Sequence, residues 1–252
     1  MIPGIDHWLA ERRDDYSAHL EKMSALKVGH ISLQVEGDSG KPAWIGGPIC
    51  AFDSLALHSM IAIHKPRRFV EIGSGMTTCF ARQAITDFKL PTRITSIDPE
   101  PRRSIDNICD EVIREGLEVS DLAWVDMLEP GDILFFDGSH RSFMNSDVTV
   151  FFIDVLPRLA PGVIIHLHDI LLPWDYPPGF VEWYWNEQYF LAAIFMANPT
   201  GFRPMLPTTW ICRNEEFRRK FDLRFVDLGS DELNASWYGG GSMWFTKSKD
   251  AC

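Results

Sequence analysis

The sequence predicts an α/β fold, a mostly parallel sheet with helices on both faces. Three observations carry that prediction. Between Arg68 and Asp169, short apolar runs ("FVEI", "RITSID", "DILFFD", "PGVIIHLHD") alternate with longer segments of helical spacing. The links between them are short, and no tract reads as a flexible linker. A chain of 252 residues with 46% apolar composition also suits one large core better than two small ones.

Taken in order, residues 5–26 carry apolar positions near helical spacing (Ile5, Trp8, Leu9, Tyr16, Leu20, Met23), which reads as one or two helices. "HISLQVEG" alternates polar and apolar residues, as a short edge strand does. "GGP" at 46–48 breaks the chain, and "AFDSLALHSMIAIHK" reads as a helix. "FVEI" is the first strand of the regular part. "MTTCFARQAITDF" follows with Met76, Phe80, Ala84 and Phe88 on one helical face. "RITSID" is the second strand, and "PRRSIDNICDEVIREG", with proline in its first turn, the second helix. "LEVSDLAW" is read as the third strand and "DILFFD" as the fourth. "SDVTVFFIDVLPRL" is a helix capped by Ser146 or Asp147, and "PGVIIHLHD" the fifth strand. Beyond Asp169, "ILLPWDYPPG" is a proline-rich loop. "FVEWYWNEQYFLAAIFMA" is an apolar helix stopped by Asn198-Pro199, "FRPML" a strand, 208–221 helical, and "GGGSMWFTK" a turn plus a strand. Residues 1–45 are expected as a small N-terminal helical appendage and 46–252 as one domain. Right-handed crossovers put the C-terminal ends of the parallel strands on one edge, where ligands bind.

The net charge is −11, which argues against nucleic acid as a partner, since tight binding there needs a cationic surface. No run of 18 apolar residues predicts a membrane span, and "MIPGIDHWLAERRDDY" lacks the pattern of a secretory signal. Cysteines 50, 79, 109, 212 and 252 are odd in number and form no CxxC, which fits a reducing, cytoplasmic setting without structural zinc.

The stretch "VEIGSGMTT" carries the first chemistry. Gly73 and Gly75 sit where a strand meets a helix, so the backbone can bend sharply and the helix can offer free N–H groups to a ligand. A tight turn with no ligand is the plainer reading. Glu71 would repel a pyrophosphate but suits an ammonium or hydroxyls. Asp98 follows Gly75 by 23 residues, near where an acidic residue takes ribose hydroxyls. Thr78 leaves GxGxxG incomplete, which weakens a dinucleotide reading.

With these residues in view, "VEIGSG…SIDPEPR" resembles motif I and the following acidic motif of class I S-adenosylmethionine-dependent methyltransferases. "GDILFFDGSH", "LPRLAPGVIIHLHDILLPWDYP", "WNEQYFLAAIF" and "GGGSMWF" resemble a bacterial subgroup, the methyltransferase-24 family. The resemblance spans roughly 46–247 and implies a Rossmann-like, seven-stranded, mostly parallel sheet with an antiparallel last strand. It also implies roles. Gly73, Ser74 and Gly75 would line the methionine and ribose of S-adenosylmethionine. Glu71 would accept from water or the amino end, Asp98 would take the ribose diol, and Pro99 would flank the adenine. Asp121, with Asp126 in reserve, would meet the adenine amino group.

"FFDGSH" and "IIHLHDI" bring Asp137, His140, His168 and Asp169 towards the same edge, while His166, deeper in its strand, reads as structural. One reading makes His140 or His168 the general base for an acceptor hydroxyl, with Asp137 ordering the site. Another has Asp137, His168 and Asp169 hold a divalent metal that lowers the hydroxyl's pKa. Related enzymes use carboxylates for magnesium, and a histidine here suits a transition metal better. The ring-rich "WDYPPGFVEWYWNEQYF" reads as core or a homodimer interface, or as an acceptor pocket in which Trp174, Tyr176 and Trp185 stack on a sugar or aromatic ring. The expected activity is methyl transfer to an oxygen, or a nitrogen, of a small molecule or glycan-linked sugar. The alternatives are a metal-dependent oxygenase and a non-catalytic cofactor-binding scaffold.

Overall fold

The computed structural model describes residues 1–34 and 40–249. Two helices open the chain, α1 (Pro3–Ala10) and α2 (Arg13–Ser24), followed by α3 (Ala51–His64). The regular part runs β1 (Arg68–Ile72), α4 (Met76–Asp87), β2 (Arg93–Ile97), β3 (Glu111–Ile113), β4 (Ile133–Phe136), α5 (Asp147–Val150) and β5 (Ile164–Leu167). It continues as α6 (Glu187–Ala197), β6 (Phe202–Pro207), α7 (Thr208–Arg213), α8 (Glu215–Lys220), α9 (Asp231–Asn234) and β7 (Met243–Lys247). The seven strands form one sheet in the order β3-β2-β1-β4-β5-β7-β6, with β7 antiparallel to both neighbours. This is the Rossmann-like sheet the sequence led one to expect.

Two elements differ from the expectation. The helix expected at 101–116 does not form: the segment makes one 3-10 turn at Asp106–Ile108, and the chain then pairs as β3. The third strand therefore lies at Glu111–Ile113 rather than in "LEVSDLAW", whose Leu122–Met127 is a 3-10 turn. Leu117, Trp124 and Val125 are buried all the same. The run is apolar because it covers the core, not because it pairs. Of the strand expected in "HISLQVEG", Ser32 makes a single bridge to Ala43, and Val35, Glu36 and Gly37 lie outside the described residues.

In-register neighbours on parallel strands point to the same side. Ser96, Glu71, Phe135, His166 and Trp244 thus form one row across the sheet. This explains His166: its ring stacks on Phe135 at 3.8 Å, lies 4.5 Å from Trp244, and bonds Ser242 Oγ at 3.0 Å. Burial holds its pKa well below the ordinary histidine value, so it stays neutral.

The N-terminal helices share the main core. Ile5, Leu9, Tyr16, Leu20 and Met23 are all buried in it. Trp8 packs on Phe195 of α6 at 4.5 Å, and the Trp210 indole N–H donates to Asp6 at 2.8 Å. Where α2 meets α3, His19 and His64 stack with their Nε2 atoms 3.4 Å apart. Burial, then the charges of His19 and Lys22, push His64 down to about 4. An unfolded histidine takes its proton near about 6.5, so this depressed group contributes stability above that pH and loses it as pH falls towards 4. Thermal melts from pH 7.5 to 4.5 are therefore expected to show a falling Tm, with a shallower fall in His64→Gln. Equal slopes in the two proteins would show that the pair plays no part.

Candidate functional site

The hydrogen-bond ladders run one residue past each strand. Asp98 N donates to Ile113 O at 3.1 Å, Gly73 N to Ile97 O at 3.1 Å, Asp137 N to Ile72 O at 2.9 Å, and His168 N to Phe136 O at 3.0 Å. Asp98, Gly73, Asp137 and His168 therefore stand side by side along the C-terminal edge. Gly73 has φ +80, and a Cβ there would lie 1.9 Å from the Asp137 carbonyl oxygen. Its bareness is set by the neighbouring chain. Gly75 differs: a Cβ there would meet nothing within 4 Å, so its bareness leaves room at the head of α4. The turn is tied to Asp98. Ser74 N donates to Asp98 Oδ2 at 2.7 Å, Glu100 N donates to Oδ1 at 2.8 Å, and the Ser74 and Ser96 hydroxyls bond at 2.7 Å.

A cavity of about 700 Å³ opens over this edge. Gly73, Ser74, Gly75, Asp98, Pro99 and Asp137, all singled out in the sequence, line it. Glu71 does not. It is fully buried beneath the turn and bonded to the Thr78 hydroxyl, and burial raises its pKa to about 8. It therefore braces the elbow from below, with Oε1 left without a hydrogen-bond partner. Asp121 does not line the cavity either. It caps the Leu122–Met127 turn by accepting from Ala123 N at 2.9 Å, while Asp126 pairs with Arg158 at 2.6 Å. The displaced third strand is the reason: Leu117 and Glu118 follow it and reach the cavity instead. Asp147, read from sequence as a helix cap, lines the cavity and accepts from Ser139 N at 2.6 Å and Ser139 Oγ at 2.5 Å, fixing the loop after β4. Ser146 is the cap.

Asp137 belongs both to this cavity and to a charged cluster beside it; His140, His168 and Asp169 belong only to the cluster. His140 Nε2 lies 3.4 Å from Asp137 and 3.4 Å from Asp169. Its Nδ1 is 2.5 Å from Glu187 Oε1, at the start of α6 and fully buried. Nothing local in the sequence ties position 187 to position 140. His168 Nδ1 lies 3.7 Å from Asp137 and 3.5 Å from Asp169, and its Nε2 is 3.8 Å from Asp53 of α3. His140 and Asp169 both hold the left-handed backbone conformation, at φ 60 and 54, which costs roughly 1–3 kcal/mol each and is found mostly at functional sites.

The two histidines differ in charge. Burial works against a proton on His168, but Asp169, Asp137 and Asp53 outweigh it and raise its pKa to about 10. Burial also opposes a charge on His140, and there the Glu187 bond with the Asp137 and Asp169 charges raises the pKa above the ordinary histidine value. Burial pushes Glu187 up to about 7 despite its bond to His140. His168 thus keeps its proton at neutral pH and serves as a fixed cation, which leaves His140 better suited to give up and take a proton.

The aromatic residues divide as well. Trp185 packs on His140 at 4.2 Å, and Tyr176, Phe180 and Trp183 cluster around it at 6.1, 4.9 and 4.9 Å. Trp174 is not among them, and its ring instead carries the Arg213 guanidinium at 4.7 Å. Among the described residues no helix is long and apolar enough to cross a membrane.

Residues 70–170 match the family model of a methyltransferase domain. No curated protein matches the chain. Among solved structures, the chain is similar to the SAH-bound Podospora anserina methyltransferase PaMTH1, with 15% identity over 94% of this chain and 88% of that one and a TM-score of 0.47. It is also similar to the plantazolicin methyltransferase BpumL in complex with SAH, with 14% identity over 79% and 85% and a TM-score of 0.44. The apo structure of CmcI-N160 has 14% identity over 77% and 70%, at a TM-score of 0.42. The matched segment holds the glycine elbow, Asp98 and the four charged residues that follow the fourth and fifth strands, so the part of the chain that builds this edge is similar to a methyltransferase domain.

Proposed function

We propose that the chain methylates a hydroxyl oxygen of a small metabolite or sugar, with His140 as the base that takes the hydroxyl proton. The observation that carries this reading is the bond between His140 Nδ1 and buried Glu187, which turns Nε2 towards Asp137 and Asp169 at the cavity's margin.

The cavity fits the methyl donor on three counts. Gly75 leaves open space at a helix N-terminus, Asp98 is tied to the elbow at the ribose position, and acidic groups line a site meant for a cation. Gly73, Ser74 and Gly75 would hold the methionine and ribose portions, Asp98 the ribose diol, and Pro99 with Leu117 the adenine. When bound, S-adenosylmethionine supplies an activated methyl group, so the protein's own work is to orient the acceptor and remove one proton. Glu187 positions His140 by accepting from Nδ1–H, which leaves Nε2 as the basic atom. His168 offsets the crowding of Asp53, Asp137 and Asp169. The ring wall of Trp185, Tyr176, Phe180 and Trp183 supports an acceptor with a flat apolar face.

One observation favours a second reading of the same cluster. Asp137, His168 and Asp169 each offer a donor atom, all within 4.8 Å of one another. One imidazole and two carboxylates suit a divalent transition metal better than magnesium, and such an ion would acidify a bound hydroxyl. In this reading the metal takes the place of the proton on His168.

Four outcomes are expected. In calorimetry with S-adenosylhomocysteine, Asp98→Ala should weaken binding by about 1–3 kcal/mol, roughly 5- to 150-fold; unchanged affinity would remove the ribose assignment. His140→Ala should slow turnover by about 100-fold or more while sparing that affinity. Because the Glu187 charge raises the His140 pKa, Glu187→Gln should lower kcat and move the ascending limb of the pH–rate profile to lower pH, and a limb that stays put would sink the dyad. Finally, if His168 carries a proton rather than a metal, extensive chelation should leave activity intact. Activity lost to chelator and restored by manganese would decide for the metal reading.

A further inference from the structure

Arg102 and Arg103 lie in the loop after β2, and both line the cavity. The other charged residues that line it are all acidic: Asp98, Glu100, Glu118, Asp137 and Asp147. Guanidinium groups among five carboxylates would be expected to pair. Several arginines elsewhere do, such as Arg67 with Glu129, Arg82 with Asp110, Arg114 with Asp106 and Arg158 with Asp126. Among the described residues neither Arg102 nor Arg103 forms an ion pair with any of these acids. One atom of Arg103, Nη1, is buried and has no hydrogen-bond partner. A buried charged donor left unpaired is costly, and the cost is removed when an acceptor arrives. Arg102 also stands near enough to the histidine cluster for its charge to help hold Asp169 ionised, after His168 and His140 and against the effect of burial.

We infer that Arg102 and Arg103 form an oxyanion subsite in this cavity, which takes a carboxylate or phosphate through the planar fork of Arg103 with Arg102 as a second charge. The inference rests on reading the cavity as the methyl donor's cleft. The oxyanion has two sources, the α-carboxylate of the donor itself or an acidic group on the acceptor. Charge complementarity favours an oxyanion over a neutral group, because a neutral ligand without an acceptor would leave the buried Nη1 of Arg103 unpartnered, while the exposed Arg102 adds a second positive charge at the cavity wall.

The test compares wild type, Arg103→Gln, Arg103→Lys and the double variant Arg102→Gln/Arg103→Gln by calorimetry. The probes are S-adenosylhomocysteine, 5′-methylthioadenosine (which lacks the carboxylate) and inorganic phosphate added to the protein saturated with S-adenosylhomocysteine. If the donor's carboxylate is the ligand, Arg103→Gln weakens S-adenosylhomocysteine about tenfold or more and leaves 5′-methylthioadenosine unchanged. If the acceptor supplies the anion, both nucleosides bind as before. The saturated wild type then binds phosphate, the double variant loses that binding about tenfold or more, and Arg103→Lys falls between. Equal weakening of both nucleosides, or no change with any probe, overturns the subsite. Whether wild type binds S-adenosylhomocysteine at all is read in the same titration, so a failure of the donor-cleft reading is seen separately from a failure of the arginine subsite.

Discussion

The bond from Ser74 N to Asp98 Oδ2 holds the site together. It ties the backbone elbow after β1 to the carboxylate after β2, and so sets the distance between the two sides of the cleft. Both groups depend on the register of the parallel strands. Ile97, Ile72, Phe136 and Leu167 are partners across the sheet, so the next residue of each strand reaches the edge at the same level. A one-residue slip in any strand would turn its edge side chain to the other face of the sheet. Buried apolar residues on β1, β4 and β5 make such slips expensive. The precision of the site is thus inherited from the packing of the sheet core.

Charge governs the other half of the site. Asp53, Asp137 and Asp169 crowd around His168, and Glu187 adds a further buried acid behind His140. Such a group of carboxylates cannot all stay ionised without positive charge among them. The imidazolium of His168 meets that need, and a metal would meet it in the same place. That is why the identity of the cation, proton or metal, is the central chemical question of the cluster. Several elements converge here, α3 with Asp53, the turn after β4 with Asp137 and His140, the end of β5 with His168 and Asp169, and α6 with Glu187. The left-handed backbone at His140 and Asp169 is retained where the chain must turn to bring these groups together.

Much of this was legible in the residues themselves. Strand–helix alternation from Arg68 to Asp169 marked the parallel sheet, because side-chain periodicity reports directly on which backbone geometry buries a given pattern. The elbow at Gly73, Ser74 and Gly75 and the carboxylate of Asp98 follow from local chain geometry and needed no tertiary knowledge to find. The third strand was misplaced for the opposite reason. Leu117 to Trp124 is apolar because it covers the core, and apolar character does not tell pairing from covering. The misplacement put the expected edge residue at Asp121, whereas Leu117 and Glu118 are the residues of this stretch that line the cavity.

The amino-acid sequence by itself therefore determined the layered α/β architecture, the glycine elbow after β1 and the set of residues able to do acid–base chemistry, since each of these is encoded over a few consecutive residues. Only the tertiary structure decided which of those residues meet. The partnership of His140 with Glu187 and the approach of Asp53 to His168 depend on contacts across tens or hundreds of positions, and the burial of Glu71 and of the Arg103 Nη1 atom depends on the packing around them. Those contacts are set by how helices pack on the sheet, and burial, which fixes the charge of each group, exists only once that packing is complete.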